Sequence, residues 1–425
     1  MILRRTTARR VLPGATLLAL SWVLPSCGRV TEDAHATHSG GSSATGGQFG
    51  AGGQATSGGS STSGGQASTG GASGGSAPLP EGCLGVPESL TGPELVARVR
   101  KRLGVELSSS DFDVPGEKPT VRGLRLTEAV DSAVRDAGPP LEMSELLYDF
   151  IVQQLLHDSH FETGMPAFAS ELSPELAADM DEEFELSLAS WAREARATLS
   201  HLFTDSTAFV NPALAAHYGV APPPSDEFSP VALPEGQQMG VLTRGAFLAR
   251  YGDLPARAPH LAQALACVTI PPLPVMTTVW TQPGRPPAKQ VVTQSYGDDQ
   301  VTCAACHRYY VGYGIALDRY DELGRYREAQ NGIDIDTSAH LYLPSDMPET
   351  TDGDSVAFSG PQELGRALAA SSGVRRCFAT RLVERLGLPE LETKELSCVL
   401  QAFAASDASL TSLLAILAPR LVSRE

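Results

Sequence analysis

The sequence predicts a mainly α-helical protein, and three features of the 425-residue chain support this expectation. Apolar residues recur every three or four positions through much of the region after residue 90, which is the spacing of amphipathic helices. A Gly- and Ser-rich segment precedes that region and has too few apolar residues to form a core. Two closely spaced cysteines followed by a histidine lie in the second half. We therefore expect a disordered tether, helical domains and a C-terminal helical bundle.

The first helix of the folded body is predicted to begin at Thr91. Thr91 is a suitable N-cap, and Leu95, Val99 and Leu103 follow at helical spacing up to Gly104. Further helices are predicted over 126–136, 146–156 and 184–203, the last as one long helix.

The C-terminal region predicts a bundle of helices joined by short turns. Pro361 lies in the first turn of the first of these helices, a position where proline is well tolerated. The apolar spacing predicts helices over 361–371, 374–386, 393–404 and 409–421.

The N-terminus predicts export. A basic start with Arg4 and Arg5 is followed by an apolar run from Val11 to Leu24, which is too short to span a bilayer and is typical of a signal peptide. The small residues before Cys27 resemble a lipobox, so we expect a signal peptide over 1–26 and a lipid on Cys27. Ordinary signal cleavage nearby is the alternative. The predicted location is the outer membrane or the cell surface, reached through this anchor.

Residues 27–80 are predicted to form a disordered tether, because residues 39–80 are almost wholly Gly, Ser, Ala, Thr and Gln. The chain carries a formal net charge of −17 at pH 7. An acidic surface repels phosphate backbones, so we exclude nucleic acid as a partner. A basic redox protein or another envelope protein is the partner class that such a surface allows.

The segment Cys303-Ala304-Ala305-Cys306-His307 has the spacing with which a c-type haem is attached. The two thiols add to the haem vinyl groups, and the adjacent imidazole binds the iron as its proximal ligand. Three other interpretations compete with haem. A thioredoxin-like redox disulfide would sit in a strand-helix-strand pattern, and a zinc site would need a second ligand pair. A purely structural disulfide between Cys303 and Cys306 stays open.

The C-terminal half resembles a bacterial family of secreted, cytochrome-c-like domains of unknown function, of planctomycete and myxobacterial type. The resemblance rests on the segments 209–220, 239–249 and 265–274, on the cysteine motif, and on the stretch from Gly314 to Arg327. It covers residues 205–425 and extends weakly back over 145–205. It implies a cytochrome-like segment in which Cys303, Cys306 and His307 hold haem.

This chain departs from the family pattern after the histidine. Relatives often carry a proline there, where this chain has Tyr310-Val311-Gly312-Tyr313. A proline carbonyl at that point orients the proximal imidazole in ordinary c-type cytochromes. Relatives also often carry a histidine about six residues before the first cysteine, where this chain has Tyr296 and Gly297.

The sixth iron ligand has two candidates in the sequence. Met347 follows His307 by about the distance at which small c-type cytochromes often place a thioether, and His340 is the alternative. If neither binds, the iron is five-coordinate and open to small ligands.

A disulfide is predicted between Cys377 and Cys398. They lie on two consecutive predicted helices, at similar distances from the turn at Gly387 and Pro389, so an antiparallel hairpin would bring them to the same depth. Cys83 and Cys267 could form a second pair, which the sequence alone does not establish.

These expectations define a tethered lipoprotein with three folded parts. They are a divergent helical domain over 81–220, a cytochrome-c-like domain over 221–345 and a C-terminal helical domain over 346–425. No hydrolase motif is present. The predicted function is electron transfer or redox support of a surface complex through one c-type haem. The rival is a non-catalytic structural or interaction protein of the envelope in which Cys303 and Cys306 form a disulfide.

Overall fold

The computed structural model describes residues 83–156, 172–237, 239–252, 254–270, 284–296, 307–343, 354–388 and 391–424. The predicted signal peptide, Cys27 and the tether lie outside these ranges. Cys303, Cys306 and Met347 also lie outside the described residues.

Most of the described residues are helical, which confirms the predicted class. The helices are α1 Gly92–Leu103, α2 Pro119–Ala137, α3 Leu141–Leu156, α4 Pro174–Ala192, α5 Leu199–Thr204, α6 Pro212–Tyr218, α7 Gly245–Arg250, α8 Leu254–Ala266, α9 Ala288–Tyr296, α10 Val311–Ala316, α11 Gly360–Ala370, α12 Ser372–Arg385, α13 Thr393–Ala405 and α14 Leu410–Ser423. The four C-terminal helices begin and end within two residues of their predicted bounds.

Three short two-stranded antiparallel sheets, none of them predicted from the sequence, accompany the helices in the described ranges. Their strands are β1 Thr207–Val210 with β2 Ser229–Ala232, β3 Ala329–Gln330 with β4 Ile333–Asp334, and β5 Ser338–Leu343 with β6 Asp354–Ser359.

The first helix begins where the sequence predicts because Thr91 caps it. The Thr91 hydroxyl accepts the backbone N–H of Glu94 at 3.4 Å, and the Glu94 carboxylate accepts the Thr91 N–H at 2.9 Å. This reciprocal pair satisfies two backbone donors that the helix itself leaves free. Gly104 ends the helix with φ of 72°, a left-handed conformation that glycine adopts at little cost.

The predicted long helix over 184–203 is wrong, because the structure divides it into α4 and α5. The hydroxyl of Thr198 accepts the N–H of His201 at 3.1 Å and so starts a new helix at Leu199. The indole N–H of Trp191 donates to the Thr198 carbonyl at 3.0 Å and holds the break in place. The apolar spacing continues across the break, and this is why the sequence suggested one helix.

The last helix, α14, is the centre of the core. Its Leu413, Leu414 and Leu417 are fully buried, and the helix packs against α1, α2 and α13. A helix that is apolar on nearly all sides is stable only when other elements surround it. The predicted domain boundaries stay predictions, yet helices from the first and third predicted domains share this core. None of the helices within the described ranges is long and apolar enough to cross a bilayer.

A buried ion pair joins α4 to the start of α7. Glu183 is 0% exposed and Arg244 is 1% exposed, and Nε of Arg244 lies 3.7 Å from Oε1 of Glu183. The Tyr218 hydroxyl donates to Glu183 and accepts the backbone N–H of Gly245 at 2.7 Å. Arg244 also donates to the Thr207 carbonyl at 2.6 Å. Burial raises the pKa of Glu183 to about 7, against the opposing effect of Arg244 and these hydrogen bonds.

The predicted disulfide between Cys377 and Cys398 is wrong. Cys83 is bonded to Cys398, and Cys267 is bonded to Cys377, each with a Cα–Cα distance of 5.4 Å. The two bridges are nested in the sequence, with separations of 315 and 110 residues.

The cysteines pair in this way because of the helix faces on which they lie. Helices α12 and α13 do pack together, but α12 also packs on α8, and Cys377 is on that side, with its sulfur 3.8 Å from the Ala264 carbonyl oxygen. Cys398 bonds instead to Cys83, which lies near α2 and α14. Equal depth in a helical hairpin is therefore not sufficient, because each side chain must also point toward the other helix.

Loss of the bridge between Cys267 and Cys377 should destabilise the protein strongly. A disulfide that closes a loop of about 100 residues contributes on the order of 4–5 kcal/mol in the chain-entropy model. We expect Cys377→Ser to lower the free energy of unfolding by roughly 2–5 kcal/mol, measured by urea denaturation. A peptide map of the non-reduced protein should show both bridges, and a peptide joining Cys377 to Cys398 would contradict the structure.

The buried carboxyl group of Glu183 should make stability depend on pH. Its pKa is about 7 in the folded protein and 4.5 as the ordinary value, so the folded state holds a proton that the unfolded chain releases between these values. Stability should therefore decrease as pH rises from about 4.5 to 7, which differential scanning calorimetry can measure. Glu183→Gln should flatten this part of the profile. The exposed neighbour provides the control, because Glu182→Gln should leave the profile unchanged.

Candidate functional site

Two of the predicted site residues, His307 and His340, lie among the described residues and line one cavity. His307 precedes α10, and His340 lies in the middle of β5. The sequence places them 33 positions apart and gives no indication that they meet.

The chain after His307 forms helical turns that direct one face toward the cavity. The Tyr310 N–H donates to the His307 carbonyl at 3.1 Å, and α10 begins at Val311. His307, Val311 and Ile315 are four residues apart, which places them on the same side of a helix. Tyr313 lies between them in sequence and is fully buried in the core.

Two glycines allow this short helix to pack closely against its neighbours. A Cβ atom on Gly312 would lie 2.9 Å from the His340 carbonyl oxygen, and one on Gly314 would lie 2.3 Å from Cγ of Leu254. Gly312 thus lets α10 contact β5, and Gly314 lets it contact α8. Paired glycines inside a helix are a sequence signal of such close approach, which the sequence analysis did not use.

The cavity has a volume of about 420 Å³ and lies between α10, α9 and the β5–β6 hairpin. Its apolar lining comes from Val311, Ile315, Ala339 and Phe358. Its polar lining includes His307, Arg308, Lys289 and His340. A space with apolar walls and a few polar groups is typical of small-molecule and cofactor sites.

A backbone hydrogen bond attaches the β5–β6 hairpin to the residue that follows His307. The N–H of Tyr342 donates to the carbonyl of Arg308 at 3.1 Å. The Arg308 guanidinium lies 4.9 Å from the ring centroid of Tyr309 and 5.0 Å from that of Tyr342, so it also contacts both aromatic faces. Leu341 and Leu343 alternate with these residues and are buried on the other face of the strand.

His307 is half-buried, and burial lowers the pKa of its imidazole. The neutral form is therefore favoured near pH 7, and only the neutral form offers a nitrogen lone pair to a metal. Within the ranges that the structure describes, no group of three or more His, Cys, Asp or Glu side chains could hold a metal ion.

Residues that the sequence analysis missed hold α9 beside the cavity. The Asp318 carboxylate accepts the backbone N–H of Ala288 at 2.7 Å at the start of α9, where negative charge is stabilising. The Lys289 ammonium lies 2.5 Å from Asp336 and 2.7 Å from the Ser338 hydroxyl. Local sequence patterns contain no signal for such long-range pairs.

Two segments of the chain match family models of domains of unknown function. Residues 238–330 match the model described as PSCyt3, protein of unknown function (DUF1588). Residues 142–220 match the model described as PSD4, protein of unknown function (DUF1592). Searches of curated proteins and of solved structures found no match. The two matches support the resemblance at the level of the family.

The two matched segments meet at the ion pair between Glu183 and Arg244. The first segment ends in residues 209–220, where the Asn211 side chain accepts the N–H of Leu214 at 2.8 Å and so starts α6. This helix places Tyr218 against Glu183. The residues that carried the resemblance thus have structural roles at the contact between the matched segments.

Filling the space at Gly312 should separate α10 from the hairpin. The added methyl group of Gly312→Ala would be 2.9 Å from the His340 carbonyl oxygen and 3.3 Å from the Phe358 ring, so backbone would have to move. We expect a loss of about 1–3 kcal/mol in the free energy of unfolding, measured with urea. The exposed strand position Ala329 offers a control, because Ala329→Val adds apolar volume away from the cavity. Unchanged stability of Gly312→Ala would contradict the close packing described here.

Proposed function

We propose that this chain is an exported, membrane-anchored envelope protein that holds one covalent c-type haem and serves electron transfer or redox support of a surface complex. Cys303 and Cys306 would form the thioether bonds, and His307 would be the proximal ligand. The iron of such a group exchanges one electron with a partner redox protein.

The observation that carries this proposal is the position of His307. The histidine that follows the cysteine pair lies on the wall of a cavity with apolar walls, and burial favours its neutral form. An exposed, charged histidine would have favoured an incidental role. The haem-attachment spacing in the sequence and the cavity beside His307 thus both support haem binding.

The residues around His307 have distinct roles in this proposal. Val311, Ile315 and Phe358 would exclude water from the cofactor, which raises the effect of nearby charges on its redox potential. Arg308 contributes positive charge at the same cavity, where the carboxylates of a haem would be stabilised, whereas the charge of Lys289 is already paired with Asp336.

The proposed location rests on the signal-like N-terminus and on the lipobox-like sequence before Cys27. The two disulfides support it, because such bonds persist in oxidising compartments outside the cytosol. The proposed partners are the membrane, through the lipid on Cys27, and a redox or other envelope protein. The net charge of −17 favours a basic surface on that protein partner and disfavours nucleic acid.

The disulfides also favour a second candidate, a non-catalytic structural or interaction protein of the envelope. In that protein Cys303 and Cys306 would form a third disulfide of the same structural kind as the other two. The two candidates differ in colour and in the covalent state of these cysteines.

Haem attachment can be tested directly. Protein expressed together with a c-type haem attachment system should show a strong Soret band and keep a haem-stained band after denaturation. The double variant Cys303→Ala and Cys306→Ala should lose both signals, while Cys27→Ser should keep them. A colourless wild-type protein whose peptide map shows a disulfide between Cys303 and Cys306 would establish the structural alternative.

The lipid anchor predicts membrane fractionation. Two or more acyl chains on Cys27 bind a bilayer far more tightly than a single chain. We expect the wild-type protein in the membrane fraction and the Cys27→Ser variant released or retaining its signal peptide, as measured by fractionation and mass spectrometry. A mature N-terminus at another residue would exclude the lipobox interpretation.

A further inference from the structure

We propose that the disulfide between Cys267 and Cys377 is a site of thiol–disulfide exchange, which a dithiol opens and a disulfide closes again while the protein stays folded. The incoming thiolate attacks the sulfur of Cys267 and displaces the sulfur of Cys377. The bridge between Cys83 and Cys398 is the permanent one. No haem is needed for this exchange, and the four bridged cysteines all lie among the described residues.

The two residues of the exchanging bridge differ in exposure. Cys267 follows the end of α8 and is exposed, whereas Cys377 lies inside α12 and is 2% exposed. Both residues of the other bridge, Cys83 and Cys398, are half-buried. The rate of exchange depends on which sulfur an incoming thiolate can reach. The exposed side of the bridge is therefore the side of Cys267.

The backbone of Cys267 has a conformation that disfavours residues with a side chain. Its φ is 53°, and it alone among the four bridged cysteines has a positive φ. It occupies the position after α8 where a left-handed glycine commonly ends a helix, and the Val268 N–H donates to the Ala262 carbonyl at 3.1 Å, as in such an end. The bridge holds Cys267 in this strained conformation, and opening it lets the residue relax. Strained disulfides are the more easily reduced ones.

A groove of about 490 Å³ lies between α3, α8 and α12, beside the bridge. Its lining includes Ala264, whose carbonyl oxygen is 3.8 Å from the sulfur of Cys377. It also includes Arg381 and Arg385, about one and two turns after Cys377, together with one acid, Glu384. The excess positive charge attracts an incoming thiolate and stabilises a leaving one.

The helix α8 is also held by groups other than the bridge. Arg257 in α8 donates to the carbonyls of Gly252 at 2.7 Å and Leu317 at 3.1 Å. The Gln154 side chain of α3 donates to the Ala264 carbonyl, and α8 packs against both α10 and α12. Opening the bridge therefore frees Cys267 and the end of α8, while the helix keeps its place.

The exchange is a two-electron reduction of the protein by a dithiol. The first thiolate forms a mixed disulfide with Cys267, and Cys377 leaves as a thiolate that takes up a proton. The second thiolate of the reductant then attacks its own sulfur in the mixed disulfide and releases Cys267, which also takes up a proton. The protein gains two electrons and two protons, and the dithiol becomes a cyclic disulfide. The oxidised dithiol reverses both steps.

The first test titrates the oxidised full-length protein with mixtures of reduced and oxidised dithiothreitol. Free thiols are blocked at each ratio with N-ethylmaleimide, and peptide mapping then reports each cysteine separately. We expect Cys267 and Cys377 to be half-reduced at a ratio lower than that for Cys83 and Cys398 by a factor of about ten or more, which corresponds to about 30 mV or more. Helical circular dichroism should be unchanged at that midpoint.

Two single variants identify the sulfur that is attacked. Cys377→Ser leaves the exposed thiol of Cys267, and Cys267→Ser leaves the buried thiol of Cys377. We expect N-ethylmaleimide to alkylate Cys267 in the first variant faster than Cys377 in the second by about tenfold or more, because only an accessible thiolate reacts. Peptide mapping again measures each rate, and circular dichroism establishes that both variants are folded.

Several outcomes would overturn the inference. Reduction of both bridges at the same ratio, or of Cys83 and Cys398 first, would show that the bridge at Cys267 is not the labile one. Loss of helical circular dichroism together with its reduction would mean that exchange requires unfolding. Equal or faster alkylation of Cys377 would exclude attack at Cys267. If a variant does not fold, the titration of the wild type still decides between a labile and a permanent bridge.

Discussion

The buried pair of Glu183 and Arg244 is the interaction on which the arrangement of the site depends. Removing Glu183 would leave the buried Arg244 guanidinium without its carboxylate partner, and breaking a buried pair in this way typically costs about 3–5 kcal/mol. The pair fixes the start of α7 through the Gly245 N–H, which the Tyr218 hydroxyl accepts. The position of α7 then determines what can pack beyond it.

A second buried cation extends this constraint toward the cavity. The Arg257 guanidinium, 2% exposed, donates to the carbonyl of Leu248 in α7 at 3.2 Å and to that of Leu317 after α10 at 3.1 Å. Asp318 follows Leu317 and caps α9. A buried guanidinium that donates to several backbone carbonyls restricts the segments that carry them, because moving one segment would leave a buried polar group without its hydrogen bond. Polar contacts thus lead from the pair of Glu183 and Arg244, through α7 and Arg257, to the elements that line the cavity.

The parts of the fold that the sequence predicted are those with strong local signals. The C-terminal helices were predicted because their apolar residues repeat over many turns, and α1 because Thr91 and Gly104 mark its ends. The break between α4 and α5 was missed because an N-cap at Thr198 competes with apolar spacing that continues across it. The disulfides were paired wrongly because the rotation of α12 and α13 depends on α8 and on the N-terminal segment, which are remote in sequence. For the same reason His307 and His340 could be named as candidates, while the cavity that contains both could not.

The bridge between Cys83 and Cys398 has a mechanical consequence. Because it joins Cys83 to Cys398 in α13, a pull along the chain from its N-terminal side passes through the sulfur atoms and bypasses the backbone enclosed between them. While that bond is intact, an end-to-end force bypasses the backbone between Cys83 and Cys398 and acts directly on α14, which follows Cys398. The helices enclosed by the bridge would then experience the force only through their packing against α14.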